Sequence, residues 1–540
     1  MTMDNLDHSK PNLDYSNADI LWKIYHISWK FPKFMSPLVL KFLLNLIYFV
    51  RYFEFIFHQF RQQSIVKQAI KMGVPVSQNT TFVGLNIFRD LAKNPFYLSK
   101  CLSGKLLIEY LKVRGRVTID NMCESGKVFA KGDWKKWKAD IFSDEFFHFS
   151  ILNQTIAFYL IKSEISEFDY QFYFSGFDYS DLYSFGIQDV RKIYINKDDH
   201  QMLIVMRNGD EIRNGDKYWD LAKLYAQSAI YYYTLTYAHN WVHFNYPDVV
   251  VSKTYSMISD KSVFFQLMEP HIRYVSMTNN NGLSGRASAR HIGVSSEYIR
   301  PDVHALVTQS ELAEGLARRS IAFYSRENIE IAKDTLATNL RFGFPHEGFK
   351  ESEIPYLKNL YRIYIIVRNF VDSVYENIKE EHRDIERWKG DILKLFPYIN
   401  AKEVNTVDFI ATFIWQSAFI HSIDHATTSA IYNNNRRVPI YLRKSFDLSS
   451  NMELEEMYHP MDLMTAWGVG HSFLDYNKSA YMDDSLTALD YHFKNYLLIS
   501  KQDKFKKEIN EELISNWTFN FEKEEEIKIR MDNISTSISF

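Results

Sequence analysis

The pattern of apolar and polar residues changes partway along the chain. Residues 192–212, KIYINKDDHQMLIVMRNGDEI, alternate apolar and polar positions on both sides of a Lys-Asp-Asp turn, a pattern typical of a β-hairpin. From Lys217 onward, apolar residues recur at i, i+3, i+4 and i+7 over many turns. Such stretches cover residues 216–244, 354–378 and 407–432, and they predict long buried helices. The fold is therefore expected to be mainly α, with a small β-hairpin or sheet element.

A second apolar region lies near the start of the chain, and it is densest over residues 36–60. Lys41, Arg51 and Glu54 interrupt it, so it contains no run of 18 uncharged apolar residues and is not expected to span a membrane. Three interpretations stay open for it. It could be a helix lying in the headgroup region of a membrane, a cover over an apolar cavity, or a buried core helix.

Composition and charge exclude several classes of function. The chain has 540 residues, 46% of them hydrophobic, which is enough for a large core. A net charge of −3, with no zinc finger, glycine-rich phosphate loop or RNA-binding aromatic motif, argues against a nucleic-acid partner. Two cysteines, Cys101 and Cys123, cannot build a disulfide framework, and the first twenty residues do not look like a signal peptide. We therefore expect a cytoplasmic protein.

The candidate chemistry lies in two histidine pairs, His239 with His243 and His421 with His425. Each pair has i, i+4 spacing, which places both imidazoles on one face of a helix. With 17 histidines in 540 residues, random placement gives roughly half of one such pair, so two unrelated structural pairs stay an alternative. Both pairs fall in apolar helices, where burying an imidazole without a partner is costly. Four imidazoles and the carboxylate of the terminal Phe540 would form a complete mononuclear metal site, and this donor set favours iron or manganese.

Residues 217–540 resemble the catalytic domain of the lipoxygenases, the non-haem iron dioxygenases of polyunsaturated fatty acids. FFQLMEPHIRYVSMTNN, at 264–280, is similar to the family's Leu-Leu-x-Pro-His-x-Arg-Tyr stretch, and residues 353–378 resemble the helix that precedes the third ligand. FIWQSAFIHSIDH, at 413–425, resembles the ligand helix Trp-x-x-Ser-Ala-x-His-x-x-x-Asn/His with small shifts. The final ISTSISF is similar to the family ending Pro-Asn-Ser-Ile-Ser-Ile. Order and spacing agree across all four motifs.

The resemblance implies a mononuclear site with five protein ligands: His239, His243, His421, His425 and the α-carboxylate of Phe540. It implies one iron per chain, with a metal-bound hydroxide and no side-chain base removing a hydrogen from a doubly allylic carbon. Dioxygen then adds to the unsaturated fatty acid or acyl derivative to give a hydroperoxide. The i, i+4 spacing of the first pair is like that of the fungal manganese lipoxygenases, so manganese is a second expectation.

Two departures from the family pattern concern residues near the expected site. Ala426, Thr427 and Thr428 stand where the family often has Phe-Gly-Gln, with Asp424 beside them, and Asp424 and Thr428 are candidates for tuning the metal from outside its ligands. Met277 stands near the position where the family usually carries Ala or Gly beside the substrate channel. A methionine there could reshape the oxygen pocket. The alternative function is therefore hydroperoxide isomerisation, desaturation or another radical oxidation of a fatty-acid-derived or specialised metabolite.

The front of the chain shows no clear counterpart of the family's N-terminal lipid-binding β-sandwich, as in bacterial lipoxygenases. The expected organisation is a polar tail and apolar helical lid at 1–80, a mixed α/β part at 81–216 and the helical metal-binding core at 217–540. The segment 36–60 is expected to act as the lid, with peripheral membrane contact as an alternative. A metal-free binding scaffold is the remaining interpretation, and the sequence makes no prediction about oligomers.

Overall fold

The structure is a computed structural model, and it describes these parts of the chain: 133–174, 189–234, 246–273, 352–394, 404–432, 437–440, 442–449, 452–460, 493–520 and 526–537, with the short stretches 242, 275, 350, 462–463 and 466–467. The lid expected at 36–60, and with it the whole unit expected at 1–80, lies outside these ranges.

A five-stranded antiparallel sheet precedes the helical part of the chain. Its spatial order follows the sequence, so it is a meander of β1 (Ile161–Lys162), β2 (Tyr170–Tyr173), β3 (Val190–Ile195), β4 (Met202–Met206) and β5 (Glu211–Arg213). The predicted hairpin is confirmed as β3 and β4, in the register Ile193 opposite Ile204. The next turn places Gly209 at φ 95°, a left-handed conformation that suits glycine. The sheet is larger than the hairpin that the sequence predicts.

Helices form most of the described chain. Their bounds are α1 (Asp144–Leu152), α2 (Trp219–Tyr233), α3 (Tyr246–Met257), α4 (Val263–Ile272), α5 (Pro355–Tyr375), α6 (His382–Leu393), α7 (Thr406–Ile414), α8 (His421–Tyr432) and α9 (Tyr496–Asn516). Short 3₁₀ turns lie at Asp133–Lys136, Thr155–Tyr159, Lys379–Glu381, Leu454–Glu456 and Met531–Asn533, and a small hairpin of β6 (Thr518–Asn520) and β7 (Glu526–Lys528) follows α9.

Local sequence explains where several helices begin. The side chains of Ser262, Asn405 and Asn495 accept hydrogen bonds from the first turns of α4, α7 and α9, and Pro355 opens α5 where no intrahelical donor is needed. None of the described helices has a stretch long and apolar enough to cross a bilayer.

The centre of the core is the continuous helical run from Thr406 to Tyr432, with α5 packed against it and α9 packed on α5. The indole Nε1 of Trp415 donates to the Leu360 carbonyl oxygen at 2.9 Å, which ties this run to α5. Trp415, Phe413 and Phe419 are each fully buried. The buried helices that the sequence predicts at 354–378 and 407–432 are thus confirmed, and α2 confirms the described part of the one at 216–244.

Candidate metal centre

His421 and His425 occupy the first two turns of α8, in a buried part of the helical run from Thr406 to Tyr432. Neither side chain has solvent exposure. Their Nε2 atoms are 3.2 Å apart, and the ring centroids are 4.5 Å apart at an interplanar angle of 61°. The expectation that i, i+4 spacing would bring two imidazoles together on one helix face is therefore confirmed for this pair.

The separation of the two Nε2 atoms can be tested against a shared metal ion. Metal–imidazole bonds are about 2.1 Å long, so two nitrogens 3.2 Å apart would make an angle of about 100° at one metal. Such an angle is ordinary for neighbouring ligands. The same distance also fits an N–H···N hydrogen bond between the rings. The geometry of this pair therefore suits a metal without requiring one.

A π-helical turn, Trp415–Ile420, lies directly before His421. Ser417 donates its hydroxyl to the carbonyl oxygen of Phe413 at 2.8 Å within this run. A π turn holds more residues than an α turn, so it changes the direction in which the following side chains point, and such turns often occur at functional sites. The turn thereby contributes to the orientation of His421 and His425. The apolar pattern of the sequence does not predict this turn.

Asp424 lies between the two histidines and is fully buried. Its Oδ1 accepts hydrogen bonds from the hydroxyl of Thr155, in the 3₁₀ turn after α1, and from that of Thr428 at 3.3 Å. The phenol of Tyr356 is close by: burial first, and then the Asp424 charge, raise the pKa of Tyr356 above its usual range. Asp424 and Thr428, both singled out from the sequence, are thus brought into one buried cluster. Thr155 is the member that sequence reasoning missed.

The final described segment of the chain reaches α8 beside His421. The backbone N–H of Ser535 donates to the hydroxyl of Ser422 at 2.9 Å, and Ser535, Thr536 and Ser537 are all buried. Ser422 is the residue that follows His421. The chain therefore arrives at the histidine helix two residues before the described segment ends at Ser537 and five residues before Phe540.

The helix that leads toward the first histidine pair also packs on α8. Tyr231 of α2 stacks on Tyr432 of α8 with ring centroids 4.3 Å apart and an interplanar angle of 14°. Gln154 Nε2 donates to the Tyr432 hydroxyl at 3.2 Å, and Gln154 Oε1 accepts from Thr234, 3.5 Å away. Thr234 comes five residues before His239. The chain is thus held against α8, which carries the second histidine pair, only five residues before the first pair begins.

The other predicted site residues lie outside the described ranges: His239, His243, Phe540 and the channel residue Met277. Within the described ranges, no group of three or more His, Cys, Asp or Glu side chains is arranged to hold a metal ion. The assignment of all five residues as ligands therefore stays a prediction, supported by the geometry of His421 and His425.

Comparison with known proteins gives a match at the level of structure alone. No protein-family model matches the chain, and no curated protein sequence matches it. Solved structures do match. The manganese lipoxygenase of Gaeumannomyces graminis has a TM-score of 0.53 at 12% identity, covering 82% of this chain and 93% of that one. The coral 8R-lipoxygenase has a TM-score of 0.52 at 11% identity, covering 79% and 75%.

A lipoxygenase variant crystallised with arachidonate has a TM-score of 0.50 at 12% identity, and the match covers 80% of this chain and 74% of that one. Identities this low carry information about the fold alone. The agreement nevertheless extends over most of each chain and matches the helical core and small antiparallel sheet described above. The chain has the fold of the lipoxygenase catalytic domain.

Proposed function

We propose that this chain is a non-haem, metal-dependent dioxygenase of the lipoxygenase type. It removes a hydrogen from a bis-allylic carbon of a polyunsaturated fatty acid or acyl derivative and adds dioxygen to give a hydroperoxide. The observation that carries this proposal is the pair of buried imidazoles on α8, His421 and His425, whose Nε2 atoms are 3.2 Å apart. The lipoxygenase fold supports the same conclusion.

The metal ligands in this proposal are His239, His243, His421, His425 and the Phe540 α-carboxylate. Iron or manganese held by such donors supplies one-electron redox chemistry at a substrate C–H bond. The contact between Ser535 and Ser422 supports the fifth ligand, because it brings the chain alongside His421 five residues before Phe540. Five residues of extended chain span at most about 17 Å, so Phe540 is within reach of the histidine pair.

Apolar surroundings suit the proposed radical chemistry. Phe419, Ile420 and Ile423, on the same helical run as the histidines, have no solvent exposure. Exclusion of water protects a reactive intermediate from side reactions and strengthens the electrostatic interactions of the site. The arachidonate bound to one structural neighbour supports an acyl chain as the substrate class.

Elemental metal analysis of the purified protein tests the proposal, with His421→Ala as the site variant. We expect about one iron or manganese per wild-type chain and a large loss in His421→Ala. His148→Ala is the matched control, since His148 is a mostly buried histidine on α1 that bonds the Asn196 carbonyl oxygen and is not one of the proposed ligands, and this variant should keep its metal. A wild-type protein that carries neither metal and cannot be loaded with either would refute the proposal.

Oxygen uptake with polyunsaturated acyl substrates then separates dioxygenation from the alternative radical chemistries. A dioxygenase consumes one O₂ for each hydroperoxide formed. Hydroperoxide isomerisation consumes none and requires a hydroperoxide as substrate. A metal-loaded protein that turns over hydroperoxides without oxygen uptake would support the alternative function.

A further inference from the structure

The segment from Ile529 to Ser537 is continuously buried from Ile534 onward, and its backbone there therefore needs hydrogen-bond partners inside the protein. Ile529 and Ile534 are fully buried. Two consecutive residues have contacts to different helices: the Ser535 N–H donates to Ser422 on α8 at 2.9 Å, and the Thr536 carbonyl oxygen lies 2.7 Å from Nδ1 of His271 on α4. The segment is thus held from two sides just before it continues toward Phe540.

His271 is suited to act as the donor in this contact. A carbonyl oxygen can only accept, so the proton of the imidazole is on Nδ1. The side chain has no solvent exposure, and burial lowers the pKa of His271 to about 4, which keeps the ring neutral at physiological pH. A neutral ring with one fixed N–H gives a directed hydrogen bond in a region with little water.

The position of His271 is set independently of the histidine helix. At the start of α4, the Ser262 hydroxyl accepts from the Phe265 N–H at 2.9 Å. The Glu381 carboxylate accepts from the Val263 N–H at 2.8 Å and the Phe264 N–H at 2.9 Å. A carboxylate at a helix N-terminus is favoured both by these bonds and by the helix dipole. His271, at the other end of this anchored helix, is therefore a fixed point for the final segment.

We propose that His271 is a positioning residue that sets the approach of the Phe540 carboxylate to the metal through its hydrogen bond to Thr536. This inference rests on the proposed function. Phe540 is the fourth residue after Thr536, so the anchor limits where the carboxylate can lie. Metal ligands tolerate errors of only about 0.2 Å, and partners that orient ligands are typically worth 10- to 100-fold in metal affinity.

His271 is a better site for a test than Ser422, because Ser422 adjoins His421 and its substitution would disturb a ligand directly. The side-chain amide of His271→Asn places an N–H near the original Nδ1 position, whereas that of His271→Gln places its N–H near Nε2 instead. Both variants are polar and smaller than or close to histidine in size. Tyr225→Phe is the matched control, since it deletes another buried side-chain donor to a backbone carbonyl, the 2.6 Å bond from the Tyr225 hydroxyl to Lys444.

Two measurements are made on each variant. The first is the dissociation constant for Mn²⁺, determined by competition with a chelator. We expect His271→Gln to bind Mn²⁺ 10- to 100-fold more weakly than wild type, and His271→Asn and Tyr225→Phe to remain within about threefold. The second is the rate at which a carboxypeptidase trims the metal-free protein past Thr536, followed by mass spectrometry. This rate should rise at least fivefold in His271→Gln and be near wild type in the other two.

The two measurements separate failure of this inference from failure of the proposed function. If wild type binds no metal, the proposed function fails, and the trimming rates still test the anchor. If wild type binds Mn²⁺ and His271→Gln matches it in both affinity and trimming, the positioning role of His271 is refuted. Equal losses in His271→Asn and His271→Gln would also refute it, because a specific Nδ1–H contact predicts recovery by asparagine alone.

Discussion

Acid should destabilise this protein in part through His271, and the size of the effect follows from its burial. The pKa of His271 is about 4 in the folded protein, against about 6.5 in an unfolded chain. Between these values the unfolded chain binds the proton more readily, so stability falls as the pH decreases from about 6.5 to 4 and is unaffected by this group above about pH 7. The pKa of His271 differs by about 2.5 between the two states, and each full pKa step corresponds to 1.36 kcal/mol, so the full loss of stability is about 3.4 kcal/mol.

The perturbation is His271→Asn, which keeps a donor and cannot titrate. Between pH 7 and pH 5, the linkage relation gives a loss of about 1.8 kcal/mol from the histidine. Unfolding entropy of about 2.1 cal/mol/K per residue corresponds to about 1.1 kcal/mol/K for a chain of this length, so the loss equals about 1.6 °C in the midpoint of thermal unfolding.

The assay is differential scanning calorimetry of metal-free wild type and His271→Asn at both pH values. Other groups whose pKa is lowered by burial, such as His148, titrate in both proteins and cancel in the comparison. The midpoint of the variant should rise relative to wild type by about 1.6 °C on going from pH 7 to pH 5. An unchanged or opposite difference would show that the reasoning from burial of His271 is wrong.

Three further predictions concern other parts of the structure. Thr155→Val removes a hydroxyl that donates to the buried Asp424 carboxylate, and calorimetry should show a loss of about 1.5–3 kcal/mol in unfolding free energy. Thr155→Ser keeps the hydroxyl and should stay near wild type, so equal losses in the two variants would contradict a hydrogen-bond role. Arg443→Met leaves the buried Asp462 without the guanidinium that bonds it at 2.6 and 2.9 Å. Thermal unfolding should show a loss of about 3–5 kcal/mol in unfolding free energy, and a stability equal to wild type would count against this ion pair. A glycine appended after Phe540 displaces the proposed carboxylate ligand by about 3.5 Å. Elemental analysis should find that this variant loses its metal and that Phe540→Ile keeps it, and metal retained in the extended chain would exclude the carboxylate as a ligand.

The elements predictable from the sequence are those whose apolar residues recur at a regular spacing along the chain. The alternation around 192–212 predicted β3 and β4, and helical periodicity predicted α5 and the run that carries His421 and His425. Strand β2 (Tyr170–Tyr173) was not predicted, because it lies in an aromatic-rich stretch without a clear alternation of apolar and polar residues.

The remaining features of the site depend on contacts that leave no local pattern. Every residue of the π turn Trp415–Ile420 is buried, so no polar stripe records the change in helical pitch. Thr155 and Asp424 are 269 residues apart, and His271 and Thr536 are 265 apart. The i, i+4 spacing of His421 and His425 could be recognised because both members lie on one helix.

The anchoring of the final segment has a consequence for how the molecule folds. Its two contacts join residues separated by 113 and 265 positions along the chain. Closing a loop of the longer kind costs about 5 kcal/mol in chain entropy, so such contacts form late, after the helices that provide their partners have packed. Metal capture in the proposed site would then belong to the last step of folding, and metal supply would favour completion of that step by mass action.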